Sequence, residues 1–319
     1  MACVLVTGAA GLLGAHVAAL LSQAHEVVGC DRHPWWGDGP VRMLQRDLLA
    51  PDAPAEVVAL VKPDIVVHCA AMTDVEACEQ DPARAFASNA RLSGELARVV
   101  PPRCVVLYLS TDSVFSGRAA WAAEEDLPEP ATVYARSKLE GERLIAQAAR
   151  EHVIVRTNLY GWSSGRKPTF AEWLYGAFER REAIRLVTDV WFTPIYVVDL
   201  AHRLRRLMEG GARGLVHVAG KDRLSKFEFG MLLAHAAGFS TEAVIPSRLA
   251  ELGLAAPRPR EMSLASRRCE PLTGMAAPRC AAGLERFVRD RARPVSRRVA
   301  LGEEERVGAA AGAPLAPAA

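Results

Sequence analysis

Tyr134 and Lys138 stand four residues apart in Tyr134-Ala-Arg-Ser-Lys138, a spacing that on a helix puts a phenol and an ammonium on one face, about one turn apart. The pair suits a tyrosine that gives up a proton. A free phenol has a pKa of about 10, and a nearby ammonium favours the phenolate, so Lys138 is expected to bring Tyr134 toward the working range. Upstream, Leu109-Ser110-Thr111-Asp112-Ser113-Val114-Phe115-Ser116-Gly117 follows an apolar run. That places Thr111 at the carboxyl end of a strand, the edge where open α/β sheets bind ligands. Beside a reacting carbonyl, Thr111 would hydrogen-bond the oxygen while Tyr134 supplies the proton as hydride arrives at carbon. Lys138 would also hold the hydroxyls of a nicotinamide ribose.

A hydride donor is implied by a second motif. Gly8-Ala-Ala-Gly11-Leu12-Leu13-Gly14 directly follows the first apolar run and opens a helical stretch. The glycines allow a tight turn and close approach to a pyrophosphate, whose charge would sit on the amide groups of Leu12, Leu13 and Gly14 at the helix start. The spacing is Gly-x-x-Gly-x-x-Gly rather than Gly-x-Gly-x-x-Gly. The next strand ends at Cys30-Asp31-Arg32, where an acid would accept hydrogen bonds from an adenosine ribose. Asp31 favours NAD(H), whereas Arg32 could pair with a 2′-phosphate, so the expected cofactor is NADP(H) or NAD(H).

These groups need a scaffold. Nearly continuous apolar runs at 2–6, 26–30, 65–69, 104–109 and 153–157 read as strands buried on both faces. Helical stretches are expected at about 12–23, 55–61, 84–99 and 137–150, with Pro63 and Pro101-Pro102 marking exits. Alternation of this kind predicts an α/β fold with a parallel, doubly wound sheet. After Gly161 the rhythm breaks. A polar loop, a helix near 169–181, another from Val197 to about Met208, a short strand at 215–218 and a helix at 225–237 with a Ser225/Glu228 capping box form a mixed α/β second region. The Arg, Ala, Pro, Gly and Glu content from 292 onward predicts a disordered tail over 292–319.

With 319 residues, a net charge of +2 and half its residues hydrophobic, the chain can bury a large core and carries no field that points to nucleic acid or a membrane surface. No run approaches 18 apolar residues, so a cytoplasmic protein without membrane association is expected. The seven cysteines include no Cys-x-x-Cys pair and the histidines no ligand spacing, so the thiols read as small core residues and no metal is expected.

Gly8–Gly14, Ser110-Thr111-Asp112-x-Val-Phe and Tyr134-x-x-x-Lys138, in this order, resemble the extended short-chain dehydrogenase/reductase family. The fuller set, with Lys-Leu-Glu-Gly-Glu142, Arg156-Thr157, Thr193-Pro-Ile-Tyr-Val-Val-Asp-Leu-Ala201 and Arg258-Pro-Arg260, resembles its dTDP-4-dehydrorhamnose reductase branch over about residues 2–291. The resemblance implies a Rossmann domain formed by 1–162 and 191–212, a smaller sugar-nucleotide domain formed by 163–190 and 213–291, and reduction of the 4-keto group of a dTDP-linked deoxysugar. It places Asp47 and Leu48 by the adenine, Ala70 and Ala71 along the cofactor, Asn89 near the active site, and Thr111, Asp112, Ser113, Asn158, Arg258 and Arg260 on the substrate side. For the two arginines a plain surface role is an equal alternative. Two departures touch the sugar pocket: Ser113 stands where the branch usually has Tyr, and Asn158-Leu159-Tyr160 replaces a stretch that often carries a stacking Trp. Trp35-Trp36 could pack on the adenine side or form a contact surface. The same superfamily includes epimerases and dehydratases, and the same branch resembles the regulatory beta subunit of methionine adenosyltransferase. A homodimer is an assembly this family reading allows.

Overall fold

Continuous rather than alternating apolar runs build the central strands because helices cover both faces of the sheet. The computed structural model describes residues 1–302 apart from 116, 118 and 254–256, so Ser116 and the tail beyond 302 lie outside the described residues. The first half runs β1 (Cys3–Thr7), α1 (Leu12–Leu21), β2 (Glu26–Asp31), β3 (Arg42–Gln45), α2 (Ala53–Val61), β4 (Ile65–His68), α3 (Val75–Gln80), α4 (Pro82–Phe86), a π-helical turn (Ala87–Arg91), α5 (Leu92–Val99), β5 (Val105–Thr111), α6 (Val133–Ala148) and β6 (Glu151–Thr157). The second half runs β7 (Leu159–Tyr160), α7 (Phe170–Glu179), β8 (Ile184–Val187), β9 (Trp191–Phe192), β10 (Ile195–Tyr196), α8 (Val197–Glu209), β11 (Gly214–His217), β12 (Leu224–Ser225), α9 (Lys226–Ala237), β13 (Val244–Ser247), β14 (Glu261–Met262), α10 (Cys269–Thr273) and α11 (Cys280–Arg289).

Seven strands form one sheet in the order β11-β6-β5-β4-β1-β2-β3, every neighbouring pair parallel. The chain order reverses between β1 and β4, which opens a crevice at the carboxyl ends of those strands. Val4, Leu5 and Val6 of β1 and Val66 and Val67 of β4 are fully buried. Thr111 and Thr157 are register partners at the ends of β5 and β6, so both reach the same edge.

Three features differ from the sequence expectation. The helix expected over 84–99 is interrupted: Asp81 caps α4, and the π turn at 87–91 separates α4 from α5. Strand β11 completes the central sheet, so that sheet extends past the boundary drawn at 212. The tail expectation is corrected for its first part, because residues 295–302 are helical. Val295 and Val299 are buried on the core, Ser296 N donates to Asp38 Oδ1 at 2.8 Å, and the Val299 carbonyl lies 2.9 Å from His202 Nε2. An i, i+4 pair of valines gives this Arg-rich segment its apolar face, and the bonds to Asp38 and His202 fix it there.

Beyond β6, β9 pairs antiparallel with β12 and parallel with β14, while α7, α9 and α11 share an aromatic core. Tyr160 packs there against Tyr196, Phe229 and Phe287. The Ser225/Glu228 capping box opens α9 as expected, with Ser225 N donating to Glu228 Oε2 at 2.7 Å.

Candidate active site

The glycine loop is built for close approach. Gly8 has φ +67°, and a Cβ there would lie 2.6 Å from Ala70 N; at Gly14 it would lie 2.1 Å from the Gly8 carbonyl oxygen. The N-cap of α1 is Gly11, which has no side chain to cap with, so the amide groups of the first turn open onto the cleft. These residues fit a dinucleotide diphosphate.

Two cavities flank the loop. The first is lined by Gly8, Asp31, Arg32, Asp47, Leu48 and Ala70–Ala71. The second is lined by Gly11–Gly14, Thr111, Asp112, Ser113, Tyr134, Lys138 and Asn158. Ala71 borders both, which makes them halves of one trough along the sheet edge. Nearly all the site residues expected from the sequence meet here, although they span positions 8 to 158.

At the first half, the Asp31 carboxylate is engaged by backbone: Ala10 N donates to Oδ2 at 3.0 Å and His33 N to Oδ1 at 2.9 Å. Arg32 is exposed, and Arg46 and Arg84 line the same cavity; neither of the latter two was picked out from the sequence, and Arg46 pairs with Glu56. Trp36 Nε1 donates to the Ala10 carbonyl at 3.0 Å, so this indole braces the glycine loop rather than lining the adenosine cavity.

At the second half, Thr132 caps α6 by accepting from Ala135 N at 3.0 Å, and the helix carries Tyr134 and Lys138 to the cleft. The Tyr134 hydroxyl is hydrogen-bonded to Thr111, and burial pushes its pKa up. Lys138 is 3% exposed, and burial pulls it down to about 7. Its Nζ lies 3.9 Å from the centre of the Tyr108 ring. The expected acidification of Tyr134 by Lys138 is therefore not what the geometry gives: the ammonium rests on a different ring, and desolvation dominates the phenol.

Asp112 is buried and its pKa is raised by that burial, against hydrogen bonds that include Asn158. Asn158 Nδ2 donates to Asp112 Oδ2 at 2.6 Å, and the hydroxyls of Thr111 and Ser113 donate to Oδ1 at 3.1 and 3.2 Å. Asp112 thus organises three polar groups on the wall of the second cavity. Asn89 holds the loop after β4, receiving Met72 N at 2.7 Å and donating to Met72 O at 3.0 Å and Ser137 Oγ at 2.9 Å.

Arg258 and Arg260 line neither cavity. Arg258 pairs with Glu76 at 2.7 Å, joining the second region to α3, while Arg260 lies 3.9 Å from Asp189. Tyr160 faces the aromatic core and not the cleft. Thr157, given no separate role by the sequence reading, lines the second cavity, and its buried Oγ1 has no partner among the described residues. The strand-end rule that found Thr111 would have found it too. Tyr108, an apparently ordinary strand residue, was invisible because its role depends on what stacks over it.

Among the described residues no group of His, Cys, Asp and Glu could hold a metal ion, and no helix is long and apolar enough to cross a membrane. Residues 1–293 match the family model described as RmlD substrate binding domain. The chain is 32% identical over 281 residues to a probable low-salt glycan biosynthesis reductase of Haloferax volcanii, covering 86% of this chain and 93% of that protein. It is 31% identical over 272 residues to dTDP-4-dehydrorhamnose reductase of Mycobacterium tuberculosis, covering 82% and 84% of the two chains. A crystal structure of the dTDP-4-dehydrorhamnose reductase of Bacillus anthracis in complex with NADP superposes with a TM-score of 0.80 at 28% identity, covering 90% of this chain and 98% of that one.

Proposed function

From the premise that the chain belongs to the RmlD substrate binding domain family, we propose that it reduces the 4-keto group of a dTDP-linked deoxysugar with NAD(P)H. The observation that carries this reading is the meeting of Thr111, Tyr134 and Lys138 at one end of a trough whose middle is the open N-terminus of α1. The nicotinamide, when bound, supplies hydride to the carbonyl carbon.

The protein supplies the rest. Burial keeps the Tyr134 phenol protonated, so it is charged with the proton that the carbonyl oxygen takes up. Thr111, bonded to the Tyr134 hydroxyl, gives its single O–H proton to Asp112 in this structure; with substrate bound, that proton turns to the same carbonyl oxygen. Lys138 holds a positive charge beside the developing alkoxide and the ribose hydroxyls. Asp112, Ser113 and Asn158 form the polar wall on the sugar side. Tyr134→Phe is expected to abolish reduction of dTDP-4-keto sugars while NADPH still binds with nearly unchanged affinity; retained turnover would sink the proton-donor role. The methionine adenosyltransferase-type regulatory alternative is only weakly opposed by the complete catalytic set, since such a subunit can retain it; no cofactor oxidation with any sugar tested, together with tight association with another enzyme, would favour it.

The adenosine end supports NADP(H) as the preferred cofactor. Both Asp31 oxygens are turned to backbone amides, whereas Arg32 and Arg84 line the cavity and suit a 2′-phosphate, Arg46 on the same wall being paired with Glu56. A cytoplasmic location and a homodimer complete the proposal at the level of family resemblance.

A further inference from the structure

Lys138 is an almost fully buried cation whose nearest carboxylate is already committed. Glu142, one turn further along α6, receives Arg156 Nε at 2.9 Å and Nη2 at 2.7 Å and also the Ser110 hydroxyl. The group that meets the ammonium directly is the face of Tyr108, 3.9 Å from Nζ. An aromatic face attracts a desolvated cation through its quadrupole. Tyr108 is itself fixed from three sides. Its hydroxyl donates to the Asn89 carbonyl at 3.0 Å and approaches the Lys138 carbonyl at 3.4 Å. The His68 ring lies 5.6 Å away. Asn89 lies in the π turn, where the shifted ladder sends its carbonyl to the side chains of Tyr108 and Ser93. Gly141 is required opposite, since a Cβ there would come within 2.2 Å of the Tyr108 oxygen.

We propose that Tyr108 is a positioning residue for the reduction: its ring face seats the Lys138 ammonium, keeping it charged and aimed into the cleft beside Tyr134. This rests on the proton-transfer reading of Tyr134 and Lys138 given above. The groups facing Lys138 are Glu142 from α6, His68 from β4, Cys69 just after it, and Tyr108 from β5, and Tyr134 lines the same cavity. Burial holds His68 neutral, with a pKa near 3, and Cys69 neutral, with a pKa near 12. Neither titrates near neutrality, so the pH response of this cluster belongs to Lys138. Its charge is present below about 7 and lost above it. Removing the aromatic face disfavours the charged form, so loss of the charge moves to lower pH.

The test is the pH dependence of NADPH affinity, measured by fluorescence without substrate, alongside the pH profile of kcat/KM. Tyr108→Leu is expected to move the alkaline fall of both to lower pH by about one unit. Tyr108→Phe, which keeps the face and loses only the hydroxyl, is expected to leave it in place. Trifluorophenylalanine at position 108 weakens the face at nearly constant volume and serves should the leucine variant not fold; it should shift the fall in the same direction. Coincident profiles for wild type and the leucine or fluorinated protein would overturn the proposal, as would an equal shift in the phenylalanine variant. If no sugar is reduced by the wild type, the proposed reaction fails, while the NADPH profiles still decide the role of Tyr108.

Discussion

In the proposed reduction the donor must hold its proton until the carbonyl oxygen needs it, and the surroundings of Tyr134 would do this by desolvation rather than by a neighbouring charge. The phenol is pushed up by burial and bonded to Thr111, while the lysine four residues on is pulled down by burial. Burial thus drives the two groups apart in acidity, the phenol above its usual range and the ammonium down to about 7. At the other end of the trough the deciding residue is Arg32. Asp31 accepts the amides of Ala10 and His33, one on each oxygen, while Arg32 stands exposed on the cavity wall, where in the proposed reading it meets a 2′-phosphate. Arg32→Ala is expected to weaken NADPH binding about tenfold or more and to leave NADH binding within about a factor of two, since the charge-assisted contact to phosphate is lost along with only an exposed bond to the His33 ring. Comparing the dissociation constants of the two cofactors checks this; equal losses for both would assign Arg32 a general role.

Helix α6 carries Tyr134 and Lys138, the side chains of the proposed proton transfer, and its placement depends on how closely it approaches β5 and the π turn. Glu142 and Arg156 form a buried bidentate pair that ties the helix to β6, with Ser110 of β5 joined to the same carboxylate. Such a pair specifies position more than it adds stability. Gly141 allows the close approach. Gly141→Ala would place a Cβ 2.2 Å from the Tyr108 oxygen and 2.3 Å from the Asn89 carbonyl oxygen, so the helix must move away. A loss of about 2 kcal/mol in stability is expected, together with a fall in kcat larger than the change in KM for the sugar. Urea unfolding and steady-state kinetics would show this, and an alanine variant with wild-type stability and kcat would mean that α6 tolerates displacement.

At the scale of the whole molecule, burial holds His16, His68 and His217 in the neutral state. Burial is the leading cause in each, lowering His16 and His68 to about 3 and His217 to about 4. Since the unfolded value is near 6.5, the unfolded chain binds protons first as the solution is acidified. The stability these groups carry is complete above pH 6.5 and is lost as pH falls toward their folded values. Each contributes a slope of about 1.4 kcal/mol per pH unit within that window. Melting temperature is therefore expected to drop steeply between pH 6.5 and 5, whereas a flat profile there would show that these rings protonate without unfolding.

Much of the architecture and site was legible along the chain. Apolar runs without alternation marked the buried parallel strands, and the Gly8–Gly14 loop between strand and helix marked the anion site. Thr111, Tyr134 and Lys138 could be read because local spacing and strand-end position assign them to one edge of the sheet. The cofactor-side group Asp47, Leu48, Ala70 and Ala71 came from family resemblance and lies along the same cavity. The valine pair of 295–302 was hidden by composition, and the π turn by the absence of any local signal for it. What lay out of reach was everything set by pairing between distant segments. The seat of Lys138 on Tyr108 joins α6 to β5, the diversion of Asp31 to the amide of Ala10 joins β2 to the glycine loop, and the partner of Arg258 is Glu76 on α3. Sequence determines which groups can carry a charge or a proton. Desolvation and distance decide which of them does, and both arise only when the chain has folded.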